Sequence, residues 1–321
     1  MNDIEIVLLG NRGSGKTTLL ATMAHELAMN SFRFKPLVLK PQAEEFKLLN
    51  QKWSDQLKRL KTEFSFTGDY AGTQSIIEHP FVFTNGKETQ PFCFVDTPGG
   101  QTYHSDTALR DRVEKATAVI CVVDAVELME YPLAFAQDRC AVAGLQSLLE
   151  TATASRSVKC LFVLTKCEKY MHSHIPSENV EALARKFTEC FKPVLELEKL
   201  VSLYLPVETL GCLEFAGFEG GDDDRRSKWI RTAMEPKPVN IFVPLCFAMW
   251  ELLGLLKDQQ WWFKRLLTFL FGSEEYEGDA AQLLELIGDA HCPCYYDSET
   301  KQLVDFSADL RQIFEKVKQN E

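Results

Sequence analysis

Residues 4–17 read IEIVLLGNRGSGKT, a short apolar segment that runs directly into a glycine-rich one. The second part, residues 10–17, fits the pattern G-x-x-x-x-G-K-[ST] in full, and residues 16–28 after it are typical of a helix. Backbone N–H groups of such a loop turn inward at the helix N-terminus and form a nest for an anion. The segment therefore predicts a strand, a phosphate-binding loop and a helix at the start of an α/β sheet.

The side chains of this loop suit a nucleoside triphosphate. Lys16 would neutralise the β- and γ-phosphates, and the Thr17 hydroxyl would ligate the Mg²⁺ that bridges them. The alternative is a chance glycine-rich turn, which the flanking strand and helix argue against. The residues predicted to bind phosphate are Gly10, Asn11, Arg12, Gly13, Ser14, Gly15, Lys16, Thr17 and Thr18.

Apolar runs recur along the chain, with helical stretches between them. We predict further strands at residues 76–83, 91–95, 118–123, 160–164 and 203–207. We predict further helices at residues 44–61, 134–151, 178–197 and 240–256, and loops at 65–75 and 217–228. Continuous apolar strands are typical of a parallel sheet that is buried on both faces. The predicted fold class is therefore α/β, with a mostly parallel, doubly wound sheet.

We divide the chain into a sheet domain at residues 1–256 and a mainly helical C-terminal extension at residues 257–321. This division agrees with the length of 321 residues, which favours about two domains.

Composition excludes several classes of function. The chain has 46 acidic against 35 basic side chains and a net charge of -11, which argues against nucleic-acid binding. Ten cysteines without a CxxC pair argue against a zinc ribbon and favour free thiols in a reducing compartment. The longest apolar run, residues 241–256, is too short and interrupted to span a bilayer. With an acidic start that does not resemble a secretory signal, we expect a cytoplasmic protein.

A second motif, FVDTPG at residues 94–99, follows the loop. Asp96 ends an apolar strand, so its carboxylate would reach the carboxyl edge of the sheet and hold Mg²⁺, through water. The Gly99 N–H would contact the γ-phosphate and report its loss. DxxG by itself fits any strand-to-turn exit, and its position after a complete phosphate loop favours the functional interpretation.

The third motif is Thr165-Lys166-Cys167-Glu168, directly after the predicted strand at 160–164. Here the chain resembles the TRAFAC-class P-loop GTPases, whose base-reading motif is [NT]KxD. In that family the lysine packs over the base, and the aspartate accepts hydrogen bonds from guanine N1 and N2. Glu168 keeps the carboxylate and adds one methylene group. The alternative is an ordinary charged turn after a strand.

The resemblance extends to two shorter segments in the family's order. Thr73 resembles the switch I threonine, which ligates Mg²⁺ and senses the γ-phosphate. Thr209 and Leu210 resemble the segment whose backbone supports the guanine O6. The resemblance covers residues 1–256 and implies a G-domain-like fold of the P-loop NTPase class. Within that class the layout is similar to bacterial double-GTPase and conflict-system GTPase-like proteins.

One departure from the family bears on hydrolysis. Ras-like members place a water-orienting glutamine directly after the DxxG glycine, whereas this chain has Gly100 there and Gln101 one residue later. Gln101 would have to move in from a flexible switch II. Arg12 could stabilise γ-phosphate charge in cis, as an arginine finger does, alongside Lys16 and Thr73. Alternatively, Arg12 is a solvated side chain paired with a surface carboxylate.

The resemblance implies a GTP-binding protein that hydrolyses GTP to GDP and phosphate, slowly by itself, and acts as a molecular switch. It further implies GTP, GDP and Mg²⁺ as ligands, a protein effector or regulator, and a nucleotide-dependent homo- or hetero-oligomer. Two alternatives stay open. One is a P-loop ATPase or kinase, and the other is a nucleotide-binding scaffold with negligible hydrolysis, which the missing glutamine favours.

Overall fold

A computed structural model describes residues 4–29, 38–67, 75–84, 89–99, 106–171, 176–220, 226–245, 247–248, 294–297 and 301–305. Within these residues the chain is an α/β protein built on one large sheet. This sheet has nine strands, in the order β12-β11-β8-β7-β6-β1-β5-β4-β2. The strands are β1 (Glu5–Leu9), β2 (Val38–Pro41), β4 (Ile77–Thr84), β5 (Thr89–Asp96), β6 (Ala118–Asp124), β7 (Val158–Thr165), β8 (Leu200–Pro206), β11 (Cys294–Asp297) and β12 (Gln302–Asp305).

Five adjacent strands, from β8 through β7, β6 and β1 to β5, run parallel. Their sequences are nearly continuous apolar runs, and every residue of β6 is buried, because helices cover both faces of a parallel sheet. On one side, β4 and β2 continue the sheet through antiparallel pairing, and on the other, β11 and β12 do the same. The predicted mostly parallel sheet is confirmed.

Eight helices are present in the described residues. They are α1 (Lys16–Met29), α2 (Ala43–Thr62), α3 (Thr107–Lys115), α4 (Ala125–Met129), α5 (Leu133–Arg139), α6 (Val142–Ser155), α7 (Glu168–Met171) and α8 (Pro176–Leu195). Helix α1 packs on α2, whereas α6 packs on both α3 and α8. Crossovers between parallel strands are right-handed. The crossover from β1 to β5 runs along the sheet in the direction opposite to the crossovers that lead from β5 to β6, β7 and β8. The two sets of helices therefore cover opposite faces of the sheet.

The core is aromatic beneath α8. Phe162 of β7 packs against Phe187 and Phe191 of α8 in tilted or edge-on geometry, with ring centroids 5.2 and 5.6 Å apart. All three rings are fully buried. Such contacts anchor α8 to the centre of the sheet and keep the ends of β7 and β8 in fixed positions.

The two loop predictions are wrong in part. Within residues 65–75, β3 (Ser65–Thr67) is a strand, and within 217–228 lie parts of β9 (Leu213–Glu219) and β10 (Arg226–Arg231). These strands form a separate antiparallel sheet in the order β3-β10-β9. Its inner face is apolar, with Phe215 packed edge-on against Trp229. Polar side chains on its other face gave these segments the composition of loops.

The C-terminal prediction concerns residues that are largely outside the described part. Residues 294–305 contribute β11 and β12, an antiparallel pair that extends the main sheet next to β8, rather than helix. Residues 243–245 and 247–248 are helical, in line with the start of the predicted helix at 240–256. The remaining parts of both predictions lie outside the described residues.

In the described part of the chain, no helix combines the length and the apolar character needed to cross a membrane. The seven cysteines that the structure describes are all free thiols, as the composition predicts.

Candidate functional site

The site forms where the parallel strands end. Because β1, β5, β6, β7 and β8 run in the same direction, the segments after their carboxyl ends meet at one edge of the sheet. In a doubly wound sheet this edge is where ligands bind. It holds the loop at residues 10–15, the segment at 97–99, the turn at 166–167 and the loop at 207–212.

The glycine-rich loop has the backbone of an anion nest. Gly10, Gly13 and Gly15 all have positive φ, at 149°, 81° and 90°. A Cβ on Gly10 would lie 2.3 Å from the carbonyl oxygen of Val122, so β6 passes too close for any side chain there. Glycine at this position therefore lets the loop curl against the sheet, with its N–H groups at the N-terminus of α1.

Lys16 lies inside this loop. Its side chain is buried, and its Nζ donates to the carbonyl oxygens of Gly10 at 2.9 Å and Asn11 at 3.2 Å. Burial lowers the pKa of Lys16 to about 8, and the nearby Asp96 carboxylate opposes part of that shift. An anion that entered the loop would supply counter-charge to this ammonium and raise its pKa again.

Thr17 and Asp96 form a pair of hard oxygen ligands. The Thr17 hydroxyl donates to Asp96 Oδ2 at 2.9 Å, and Asp96 is fully buried at the end of β5. The next residue is fixed as well, because the Thr97 hydroxyl donates to the Leu8 carbonyl oxygen at 2.6 Å. A hydroxyl beside a carboxylate, next to a phosphate nest, is the donor set that Mg²⁺ prefers.

Gly99 packs directly on the loop. A Cβ at Gly99 would lie 2.5 Å from the backbone nitrogen of Arg12, so only glycine allows this approach. The Arg12 N–H donates to Asn11 Oδ1 at 2.8 Å. The side chain of Arg12 is exposed, and it has no ion-pair or hydrogen-bond partner among the described residues. The expected pairing of Arg12 with a surface carboxylate is thus not seen in this part of the chain.

Thr165 joins the third motif to the loop. Its hydroxyl is fully buried, donates to the Ser14 carbonyl oxygen at 2.6 Å and lies 3.2 Å from that of Val123. Gly15 faces the same side chain, since a Cβ there would be 3.6 Å from Thr165 Oγ1. The loop after β1 and the turn after β7 are therefore held together by a side chain rather than by strand pairing.

Lys166 has a positive φ of 61° and directs its ammonium to Asp124, with which it forms an ion pair. Asp124 also caps α4, since its carboxylate accepts from Val126 N at 2.9 Å and Glu127 N at 3.2 Å. This pairing fixes the lysine side chain at the end of β6, the strand next to β7.

Glu168 is almost completely buried at the first position of α7. Its Oε1 accepts from the backbone N–H groups of Leu210 and Gly211, both at 3.3 Å. Its Oε2 is buried and has no hydrogen-bond partner in the described part of the chain. Burial raises the pKa of Glu168, although these backbone donors oppose the shift. One carboxylate oxygen is thus held by the loop after β8, and the other is buried without a donor among the described residues.

The structure brings most of the predicted residues together. The loop residues Gly10 to Thr17 lie at one edge of the sheet with Asp96, Gly99, Thr165, Lys166, Glu168, Thr209 and Leu210. The hydroxyl of Thr18 faces α2 instead, where it accepts from Gln56 Nε2 at 3.4 Å. Thr73, Gly100 and Gln101 lie outside the described residues.

Sequence reasoning missed Glu208, which is 1% exposed. Burial and the charge of Glu168 raise its pKa to about 8. A glutamate directly after a strand is typical of a solvated turn, so no pattern in the sequence marks it.

In the described ranges, no three His, Cys, Asp or Glu side chains are grouped so that they could hold a metal ion. No protein-family model matches this chain, and no curated protein matches it. The geometry of the site is therefore the basis for a functional proposal.

The Thr165 hydroxyl generates a prediction for stability. Thr165→Val keeps the shape of the side chain but removes the donor to the buried Ser14 carbonyl, and we expect the free energy of unfolding to fall by about 1–3 kcal/mol. The measurement is urea denaturation. Thr22→Val is the matched control, because that buried hydroxyl donates only to the Thr18 carbonyl within its own helix; its loss is expected to stay below about 1 kcal/mol. Equal losses in the two variants would contradict the role given to Thr165.

Proposed function

We propose that this protein is a P-loop GTPase-like switch that binds GTP and GDP with Mg²⁺ and hydrolyses GTP to GDP and phosphate. The observation that carries the proposal is the link between the two ends of the site. Thr165 connects the glycine-rich loop to the turn that bears Glu168, so a phosphate nest and a buried carboxylate acceptor belong to one rigid unit. A nucleotide has the same two ends, phosphates and a base.

The phosphate end is supported by charge. The buried ammonium of Lys16 is surrounded by carbonyl oxygens of the loop, and the depressed pKa shows that this environment disfavours the cation. Triphosphate oxygens would relieve that cost. Thr17 and Asp96 would hold Mg²⁺, with Thr73 as a third ligand implied by the resemblance. When bound, Mg²⁺ would neutralise charge on the β- and γ-phosphates.

The base end is supported by Glu168 Oε2, the carboxylate oxygen that has no donor among the described residues. Guanine presents the N1–H and N2–H groups on its Watson–Crick edge, which suit an ionised carboxylate. Adenine presents an acceptor at N1, which would face Glu168 Oε2 without a donor. A buried acceptor that stays unpaired costs about 1–3 kcal/mol, so this site favours guanine over adenine.

Hydrolysis would depend on positioning and charge neutralisation at the γ-phosphate. The exposed guanidinium of Arg12 and the close approach of Gly99 to the Arg12 backbone support a role for both residues at the γ-phosphate. Loss of that phosphate would change the segment around Gly99, which a protein effector or a second subunit could read. Gln101 is the other candidate to orient water.

A scaffold with negligible hydrolysis is the second candidate function, since Gly100 occupies the position of the water-orienting glutamine. A P-loop ATPase or kinase is the third, and it requires that Glu168 does not select the base.

Titration calorimetry with Mg²⁺ tests nucleotide binding. We expect GTP and GDP to bind and ATP not to bind. Lys16→Ala should weaken GDP binding by about 10- to 100-fold or more, because it removes a charge-assisted contact. Lys228→Ala is the control, since Lys228 pairs with Glu219 on the second sheet. ATP preference, or no binding of any nucleotide, would refute the GTPase proposal.

Glu168→Gln tests base recognition. The amide oxygen would keep the two backbone donors, which places the amide NH₂ where Oε2 was. This NH₂ would oppose the guanine donors and suit xanthine, which has a carbonyl at C2. We expect GDP affinity to fall about 10- to 100-fold and xanthosine diphosphate affinity to rise. The exposed Glu214→Gln provides the control, and unchanged base preference in Glu168→Gln would remove Glu168 from base recognition.

Arg12→Ala separates a switch from a scaffold. Single-turnover hydrolysis of GTP should slow by about tenfold or more if Arg12 stabilises transition-state charge, while GDP affinity changes little. Hydrolysis at the parental rate would exclude Arg12 from the mechanism. A parental protein with no measurable turnover would favour the scaffold.

A further inference from the structure

Two buried carboxyl groups meet at the base end of the site. Glu168 Oε1 accepts the N–H of Gly211, and Glu208 Oε2 lies 3.4 Å from the place where a Cβ of Gly211 would be. The two side chains therefore approach the same glycine, one from α7 and one from the loop after β8. Both are nearly inaccessible to solvent, with Glu168 4% and Glu208 1% exposed.

The loop that carries Glu208 is fixed from the opposite side as well. The backbone of Glu208 bridges to Val239, and the Lys237 N–H donates to the Leu210 carbonyl oxygen at 2.8 Å. A Cβ on Gly211, whose φ is 62°, would lie only 1.9 Å from the Lys237 carbonyl oxygen. Residues 237–239 thus cover residues 208–211, and neither carboxyl group can move away to solvent without opening this contact.

Two negative charges in such a space repel each other, and neither is well solvated. The charge of one carboxylate disfavours ionisation of the other, which keeps a proton at a pH where an isolated carboxyl group has lost it. The pKa of Glu208 is raised to about 8 and that of Glu168 is raised too, with burial as the larger cause for each.

We propose that Glu168 and Glu208 form an electrostatically coupled carboxyl pair, so that binding of the guanine base releases a proton and weakens as the pH falls. This inference rests on the proposed function, because it gives Glu208 the role of a positioning residue for the base-reading carboxylate. Guanine N–H groups stabilise the ionised form of Glu168. The free pair therefore holds more protons than the bound pair, and mass action gives the sign of the pH dependence.

Other charged and titratable groups near the pair do not account for this dependence. Lys166 precedes α7 and is paired with Asp124 at the end of β6. The Cys167 thiol is fully buried, which raises its pKa well above the ordinary value, and burial raises the pKa of Cys212, before β9, to about 11. The charge of Arg231 of β10 opposes the shift at Cys212. Burial also raises the pKa of Glu127, which lies by Asp124 and Lys166, but that group is unchanged when Glu208 is substituted.

The test compares the pH dependence of GDP affinity in the parental protein and in Glu208→Gln. Affinity in the parental protein should fall toward low pH, by up to about tenfold per pH unit where one full proton is released. Glu208→Gln removes the second charge, so its profile should be flatter and should move to lower pH. Lys16 and the nucleotide phosphates titrate in both proteins, and the comparison at each pH cancels their contributions. Glu214→Gln, an exposed site, should follow the parental profile.

Two further measurements test the pair by other readouts. Calorimetry of the parental protein with guanosine, in buffers of different ionisation enthalpy, counts the protons released by the base alone. In nucleotide-free protein, the raised pKa of Glu208 favours folding at low pH, and this stability is lost as the pH rises from about 4.5 to about 8. Glu208→Gln should therefore raise the melting temperature by more at the high end of this range than at the low end.

The outcomes distinguish failure of the proposed pair from failure of the proposed function. A flatter profile in Glu208→Gln and proton release with guanosine would support the pair. GDP binding with identical pH profiles in both proteins, or without proton release by guanosine, would overturn the pair and leave the proposed function standing. Absence of GDP binding at every pH would overturn both.

Discussion

The parallel pairing of β1 with β5 on one side and β6 on the other is the constraint on which the site depends. Leu8 is paired with both Asp96 and Ile120, which sets the height at which all three strands end. In a strand, a shift of one residue turns every side chain to the opposite face. The pairing therefore decides that Asp96 faces Thr17 and that Gly10 fits against Val122. Burial of four of the five residues of β1 keeps this register in place.

Around that frame, the site concentrates charges that the interior tolerates poorly. A lysine, an aspartate and two glutamates lie buried along one edge of the sheet, at Lys16, Asp96, Glu168 and Glu208. Each has lost most of its hydration, and the pKa values of Lys16, Glu168 and Glu208 are shifted toward the neutral forms. Perturbed titratable groups that gather at a sheet edge are typical of ligand sites, because a bound ligand can stabilise charges that burial disfavours. Such a cluster costs stability, and this cost agrees with the proposed function.

The second sheet adds a layer that the predicted loops did not suggest. Its strands come from distant parts of the chain, and the Thr67 hydroxyl donates to a Glu219 carboxylate 152 residues away. This sheet is attached to the site near Glu168. Strand β9 packs against α7, which begins with Glu168. In addition, the Lys169 ammonium lies over the ring of Phe215. The site and the second sheet therefore meet at α7.

The sequence by itself determined the glycine-rich loop, the flanking strand and helix, and the other apolar strands of the parallel sheet. These features are local, because a nest needs consecutive residues and a strand buried on both faces needs a continuous apolar run.

Tertiary structure decided the rest. The contact of Gly99 with Arg12, the bond from Thr165 to Ser14 and the burial of Glu208 beside Glu168 each join residues from different strands. The strands β3, β9 and β10 could not be predicted from their own sequences, which are half polar. Such segments form strands when another strand supplies the hydrogen bonds and an apolar face to cover. Which polar residues are buried, and hence which carry the chemistry, follows from packing and not from the spacing of residues along the chain.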